Sequence, residues 1–110
     1  MAQNFKNQLE NVSTTAEEIL DQVNSFDAVV GIRLSNVSSA NINVDVYIVR
    51  ASPSGTFYLI KNVEILQGSS LELIDGGSKI NLHSGDKIMA ISNVANSLDT
   101  VVSYIDAIST

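Results

Sequence analysis

The 110-residue sequence contains no cysteine and no tryptophan, only one proline and one histidine, and 5% aromatic residues. Without cysteine, neither a disulfide framework nor a thiolate metal site can form. A single histidine also excludes a metal centre built from histidine and cysteine ligands. Hydrophobic residues still make up 45% of the chain, so the core must be filled mainly by valine, isoleucine and leucine. The length corresponds to one domain with one modest core.

Charge is also scarce, because charged residues make up 16% of the chain and sum to a net charge of -6. The basic residues are scattered singly along the sequence: Lys6, Arg33, Arg50, Lys61, Lys79 and Lys87. Nucleic acids and anionic membranes require clustered cations, so we expect neither as a partner. The segment MAQNFKNQLE lacks the apolar region of a signal peptide, and no apolar run has the length of a membrane helix. We therefore expect a soluble product made in a cytoplasm.

Alternation of apolar and polar residues is the dominant pattern. In NINVDVYIV every second residue is apolar, which is typical of a strand with one buried face. In DAVVGIRLS we expect Val30, Ile32 and Leu34 to face inward. Gly31 would then lie on the outer side, where it indicates a bulge or a close backbone approach. Strands therefore account for the middle of the chain.

Turn residues punctuate the stretch from 67 to 92, and we expect at least one of Gly68, Gly77 and Gly85 to have a positive φ. The closing run TVVSYIDAI carries apolar residues on both faces, which predicts a central strand covered on both sides. Short strands at this spacing predict an all-β fold. We expect a single antiparallel β-sandwich, jelly-roll-like, of about eight strands.

The N-terminal part allows alternatives. Residues 16–24 can form a short helix, because Thr14 and Glu17 match a capping box, or a strand, because EILDQV alternates. The all-β context favours the strand. Residues 1–15 are polar and predict an arm ahead of a sandwich domain at residues 16–110. Phe5 and Leu9 would share one face if the arm formed a helical turn on a neighbouring molecule; otherwise the arm is a disordered tail.

Residues capable of chemistry are isolated in the sequence. His83 ends the run KINLH, where a polar strand end needs no catalytic explanation. Asp75 and Asp86 lie in successive turns and are of the residue type that binds calcium, but aspartate beside glycine is ordinary turn chemistry. Glu17 and Glu18 are adjacent and would point to opposite faces of a strand. We expect no catalytic, metal or cofactor-binding residue, and no enzyme.

Tyrosine is the remaining candidate, as a platform for a sugar. Tyr47, Tyr58 and Tyr104 fall on three different predicted strands, which allows only a partial platform. Tyr47 is the best candidate because it lies on the polar face of its strand. The simpler interpretation is that Tyr47 packs against a neighbouring subunit or a loop.

An ordered series of short motifs resembles a family of small virion structural proteins of tailed bacteriophages, of the type found in marine myoviruses and cyanophages. The motifs are G-x-x-x-x-N, V-D-V, Y-x-x-K-N-V-x-I-x-x-G-S-S-L, G-G-K-I-x-L, G-D-x-I and a closing V-x-V-x-x-S-Y-x-E strand. In this chain they correspond to residues 31–36, 44–46, 58–71, 77–82, 85–88 and 102–106. The resemblance covers residues 17–110 and departs from the pattern at Ser78, an insertion, and at Asp106, where the family has Glu.

The resemblance implies a non-enzymatic, multi-copy virion protein that acts by assembly, either as capsid decoration or in the neck, tail or baseplate. It also implies other virion proteins and further copies of the chain as partners, and the virion as location. No catalytic residue carries over from the family. The alternative is a glycan-binding module of a tail fibre or spike that recognises the host surface. That role requires exposed aromatic residues and carboxylates that converge, and the low aromatic content argues against it.

Overall fold

The protein is a β-sandwich of two antiparallel sheets. A computed structural model describes residues 4–21, 23, 27–51, 53–74 and 79–106. These residues form nine strands and no helix: β1 (Asn4–Val12), β2 (Glu17–Leu20), β3 (Asp27–Asn36), β4 (Ile42–Ala51), β5 (Ser54–Ile65), β6 (Ser70–Glu72), β7 (Ile80–Leu82), β8 (Lys87–Ser92) and β9 (Leu98–Asp106). The predicted all-β sandwich is confirmed, with one strand more than expected.

The strands pair from the middle of the chain outward. β4 pairs with β5, β3 with β6 and β7, β2 with β8, and β1 with β9, all antiparallel. Together these pairs form one long hairpin, in which β1 to β4 run along one arm and β5 to β9 return along the other. The hairpin is rolled up so that β3 also pairs with β9 and β4 with β8. The result is a five-stranded sheet, β1-β9-β3-β6 with β7 also on β3, facing a four-stranded sheet, β2-β8-β4-β5. Such a rolled hairpin is a jelly roll.

An aliphatic core lies between the two sheets. Its largest fully buried side chains come from both of them: Ile19, Leu20, Ile32, Leu34, Ile42, Leu82, Ile88 and Leu98. Every buried hydrophobic residue in the described ranges is Val, Ile, Leu or Ala. Full burial of one such large side chain stabilises the fold by about 1.5–3 kcal/mol. The core predicted from composition is therefore confirmed for this part of the chain.

A bulge in β3 changes the expected pattern of burial. Val29 is opposite Tyr104 and Gly31 is opposite Ser103, so Val30 is the extra residue. Val29 is fully buried, whereas Val30 lies on the outer side. The expectation that Val30 faces inward is wrong, because the bulge shifts the alternation by one residue. The bulge indicated by Gly31 is confirmed.

Residues 4–12 form an edge strand and not an arm. β1 pairs with β9 from Asn4↔Asp106 to Val12↔Leu98 without a register shift. Val12 is fully buried in the core. The arm expected over residues 1–15 is therefore corrected for these positions, because β9 supplies backbone partners that the local sequence does not reveal. Removal of residues 4–12 would take away an edge strand and the buried Val12, so we expect it to destabilise the domain.

Gln8 forms hydrogen bonds between β1 and the four-stranded sheet. Its side-chain oxygen accepts a hydrogen bond from the backbone N–H of Asp21 at 2.9 Å, and its amide donates to the backbone oxygen of Glu18 at 3.3 Å. Since β2 belongs to the four-stranded sheet, these bonds close one side of the sandwich. Residues 17–20 are extended, so the strand predicted within residues 16–24 is confirmed there and the helix is excluded. Residues 22 and 24 lie outside the described part.

Asn36 connects the sheets on the other side. Its buried amide donates to the backbone oxygens of Ala40 at 2.8 Å and of Ile65 at 3.0 Å. Its side-chain oxygen accepts from the backbone N–H of Ser38 at 2.9 Å. In the described part of the chain, no buried side-chain nitrogen or oxygen lacks a hydrogen-bond partner. Buried polar groups therefore support the sandwich without the cost of an unsatisfied group.

The expected positive φ angles are confirmed at two glycines. Gly68 has a φ of 73° and Gly85 a φ of 97°, while Gly77 lies outside the described residues. A Cβ at Gly68 would have open space around it. A substitution there therefore tests the backbone conformation alone.

Replacement of Gly68 by Ala should lower the free energy of unfolding by about 1–2 kcal/mol, because an L-residue is strained at this φ. Gly68→Asn should cost less, since asparagine tolerates this region better. Urea denaturation at neutral pH measures both. Gly31→Ala is the matched control, because a Cβ at Gly31 would make only ordinary contacts, with nearest neighbours at 3.7–3.8 Å. Equal costs at the two glycines would contradict the assigned turn.

Candidate functional site

The residues considered for chemistry do not converge. His83 follows β7 at the surface, and Asp75 lies outside the described residues. Glu17 is opposite Ala90, whereas Glu18 is opposite Met89, so the two glutamates face opposite sides as expected. Within the described ranges, no group of three or more His, Asp or Glu side chains is placed to hold a metal ion. The same ranges contain no helix long and apolar enough to cross a membrane.

Asp86 instead forms a structural ion pair. Its carboxylate is 1% exposed and accepts a hydrogen bond from Arg50 Nη2 at 2.8 Å. The backbone N–H of His83 donates to the same carboxylate at 3.0 Å. Arg50 is the second-last residue of β4 and Asp86 directly precedes β8, so the pair holds the turn before β8 against the neighbouring strand. This satisfied geometry explains Asp86 without a calcium ion.

Opposing effects set the pKa of Asp86. Burial alone would raise the pKa of this carboxyl group. The hydrogen bonds from Arg50 and from the backbone of His83, together with the charge of Arg50, outweigh burial and hold the pKa below its ordinary value. Asp86 is therefore ionised in the folded protein at neutral pH.

Apolar residues form a discontinuous stripe on the outer face of the five-stranded sheet, with the pair Asn7 and Ser103 between its two ends. Phe5 is opposite Ile105 and Leu9 is opposite Val101 across β1 and β9, and bulged Val30 extends the stripe onto β3. Phe5 is 81% exposed and Leu9 is 64% exposed. Directly opposite residues on paired strands point to the same side of a sheet. The stripe therefore consists of Phe5, Leu9, Val30, Val101 and Ile105.

Paired polar groups border the apolar stripe. Arg33 Nε donates to Glu72 Oε1 at 3.2 Å on one side. Asn11 Nδ2 donates to Asp99 Oδ1 at 2.7 Å near one end. Two shallow depressions open along the stripe, one beside Phe5 and one beside Leu9 and Val101. An exposed apolar patch with a polar border is typical of a protein–protein contact.

Part of the apolar stripe could be predicted from the sequence. The closing run was expected to be apolar on both faces, and β9 does lie between β1 and β3. The expectation that both faces are covered is met only on the core side, because Val101 and Ile105 remain partly exposed. Phe5 and Leu9 share a face as expected, but on a strand and not on a helix. The pairing that assembles the stripe joins residues almost a full chain length apart and has no local signature.

The structure brings two of the three tyrosines together on the other sheet. Tyr47 on β4 is opposite Tyr58 on β5, with ring centroids 5.1 Å apart and planes tilted by 45°. Lys61 Nζ lies 4.6 Å from the centre of the Tyr58 ring. Tyr104 lies on β9 in the five-stranded sheet and packs against the core. The three tyrosines therefore lie on three different strands as expected, and two of them are neighbours because β4 pairs with β5.

Comparison with known proteins identifies the fold and no more. No protein-family model matches the chain, and no curated protein sequence matches it significantly. A solved structure described as "Bacillus endospore appendages form a novel family of disulfide-linked pili" is similar, with a TM-score of 0.54. The alignment covers 98% of this chain and 88% of that chain at 14% identity. Identity at this level supports a shared fold alone.

Replacement of Arg50 by Met should lower the free energy of unfolding by about 3 kcal/mol at pH 7, because it leaves a buried carboxylate without its partner charge. A lowered folded-state pKa stabilises the protein above the unfolded pKa of about 3.9, and that contribution is lost as pH falls through the folded value. The cost of Arg50→Met should therefore shrink towards pH 3. Urea denaturation at pH 7 and pH 3 measures the difference.

Arg33→Met is the matched control, because Arg33 pairs with Glu72 at the surface. Exposed ion pairs contribute about 0–1 kcal/mol, so this variant should be nearly neutral at both pH values. Equal costs for the two arginines, or a pH-independent cost for Arg50→Met, would show that Asp86 does not depend on Arg50.

Proposed function

We propose that this protein is a non-enzymatic virion structural protein of a tailed phage, present in many copies, whose apolar stripe packs against a further copy of the chain. The observation that carries the proposal is the exposure of Phe5 and Leu9 on a sheet face whose border polar groups are already paired. The sequence resemblance to small virion proteins supports the setting. The apolar stripe supports the mode of action, which is assembly.

A further copy is the proposed occupant, because the apolar stripe offers two like-charged molecules an uncharged surface for contact. Each molecule has a net charge of -6, so two copies repel each other over most of their surfaces. The five residues of the apolar stripe carry no charge, so a contact through them does not place like charges directly against each other. Two copies related by a twofold axis would place the same residues on both sides of the contact.

The size of the face predicts a contact that is weak by itself. Strands β1, β9 and β3 have nine or ten residues each. At about 3.4 Å per residue and 4.8 Å between strands, this gives a flat footprint of roughly 400 Å² per copy. Stable pairs usually bury about 800 Å² per partner. Repetition of modest contacts in a symmetric particle compensates for their individual weakness.

The solved structure with a similar fold is consistent with this mode of action. That structure belongs to Bacillus endospore appendages that form disulfide-linked pili, so a chain with a similar fold takes part in a pilus there. The present chain has no cysteine, so disulfide bonds cannot link its copies. An exposed apolar face is the kind of surface that such contacts require.

Replacement of Leu9 by Lys should abolish concentration-dependent self-association of the purified protein, because it puts a charge into the apolar stripe on both sides of the contact. Sedimentation velocity from micromolar to millimolar protein measures this, and thermal melting should show little change because Leu9 is on the solvent side. The same variant should be depleted from virions purified on a density gradient, as quantified by mass spectrometry.

Leu66→Lys is the matched control, since Leu66 is 54% exposed and follows β5, away from the apolar stripe. This variant should associate and enter particles as the unmodified protein does. If Leu9→Lys assembles equally well, the apolar stripe is not the contact. If the unmodified protein is absent from purified virions, the proposed function itself is wrong.

A further inference from the structure

The outer face of the four-stranded sheet carries a second surface, of different chemistry from the apolar stripe. Asn43, Asp45 and Tyr47 occupy successive outward positions on β4, and Tyr58 lies beside Tyr47 on β5. Tyr58 is 48% exposed. We call these residues, with Lys61, Asn62 and Asn93, the tyrosine–amide surface.

Irregular pairing of β4 with β5 creates this surface. The register Ile42↔Ile65 and Val44↔Val63, continued along the strands, would put Ile60 opposite Tyr47. Two register shifts insert extra residues in β5 and bring Tyr58 there instead. β-bulges redirect side chains and are frequent next to binding sites.

The same irregularity forms a depression lined by amides. Asn62 has a φ of 55°, and its backbone N–H donates to Asp45 Oδ1 at 2.6 Å. Asn43 Nδ2 donates to Asn62 Oδ1 at 3.0 Å, and its backbone N–H donates to Asn93 Oδ1 at 2.9 Å. These groups line an open depression of about 410 Å³ together with Ile91 and Ser92. Each side-chain amide retains further donor or acceptor capacity.

Charge on the tyrosine–amide surface is balanced. Lys61 Nζ lies 3.9 Å from Asp45 Oδ2, so the cation and the carboxylate offset each other. Burial raises the pKa of Tyr47, with the neighbouring Tyr58 and Asp45 adding to the effect. Tyr47 therefore stays neutral. Lys61 is also long and exposed, so it can leave the Tyr58 ring when another group packs there.

A sugar combines the properties that this surface requires. It is uncharged, presents an apolar ring face to an aromatic side chain and carries hydroxyl groups that both donate and accept hydrogen bonds. Cross-strand aromatic pairing alone stabilises sheets and would explain the two tyrosines. It does not explain the adjacent amide-lined depression. Asn43 and Tyr47 are about 13 Å apart at 3.3 Å per residue, which is room for a short oligosaccharide and not a single sugar.

We propose that the tyrosine–amide surface binds a neutral oligosaccharide, with a sugar ring stacked on Tyr58 and hydroxyl groups bound by Asn43, Asp45 and Asn62. The site is shallow, so binding of one copy is weak. It lies on the sheet opposite the apolar stripe, and its presence does not depend on the mode of assembly.

The test is a ¹H–¹⁵N NMR titration of the full chain with cellotriose, chitotriose, maltotriose and mannotriose. At least one of these should shift the amide signals of residues 43–47 and 58–62 in a saturable manner. Tyr58→Leu should weaken that binding at least tenfold, because leucine keeps strand propensity and lacks the aromatic face. Tyr58→Phe should retain it, because stacking needs the ring and not the hydroxyl group.

Phe57→Leu is the matched control, since Phe57 is 58% exposed on the same strand and adjacent to Tyr58 but lies opposite Ile48 and not Tyr47. It should leave the binding unchanged. The well-dispersed spectrum of each variant reports that it is folded. The proposal is overturned if none of the four trisaccharides shifts these signals, or if Tyr58→Leu binds as well as the unmodified protein. Neither outcome bears on self-association through the apolar stripe.

Discussion

The packing of two sheets through an aliphatic core is the interaction on which the rest of the structure depends. A chain without cysteine and with few aromatic residues has no disulfide and few large rings with which to close a sandwich. Its strands must therefore supply valine, isoleucine and leucine in alternation. A slip of one residue would move the apolar set of a strand to the solvent side, so the core fixes the register. The bulge at Val30 accommodates an extra residue while Val29 and Ile32 stay buried.

That constraint explains which parts of the fold could be predicted. β4 and β8 alternate clearly, because one face of each is in the core and the other in solvent. Strand β1 was not predicted, because polar side chains in it face the core side and apolar side chains face solvent. The residues that face the same side as core-lining Val102 and Thr100 are Gln8 and Glu10, while apolar Leu9 points outward. Only the pairing with β9, at the far end of the chain, makes residues 4–12 a strand.

The candidate surfaces were harder to predict than the core, because each depends on long-range register. The apolar stripe requires Phe5 to meet Ile105. The tyrosine pair requires the two shifts in β5, which move Tyr58 into the place of Ile60. Propensity does not specify such irregularities, although Asn62, a residue type that tolerates positive φ, is a local mark of one. Individual candidate residues could thus be selected from the sequence, but the residues that lie beside them on the paired strand could not be predicted.

Core packing constrains only the inner faces of the two sheets, so their outer faces can differ in chemistry. One carries the apolar stripe; the other carries the tyrosine–amide surface, whose charges are balanced. If the apolar stripe is covered in an assembly, the opposite sheet of each copy is turned away from that contact. A weak sugar site would then be displayed many times on one particle, and simultaneous engagement of several copies raises the overall affinity far above that of one. Assembly through one sheet would therefore make binding through the other effective.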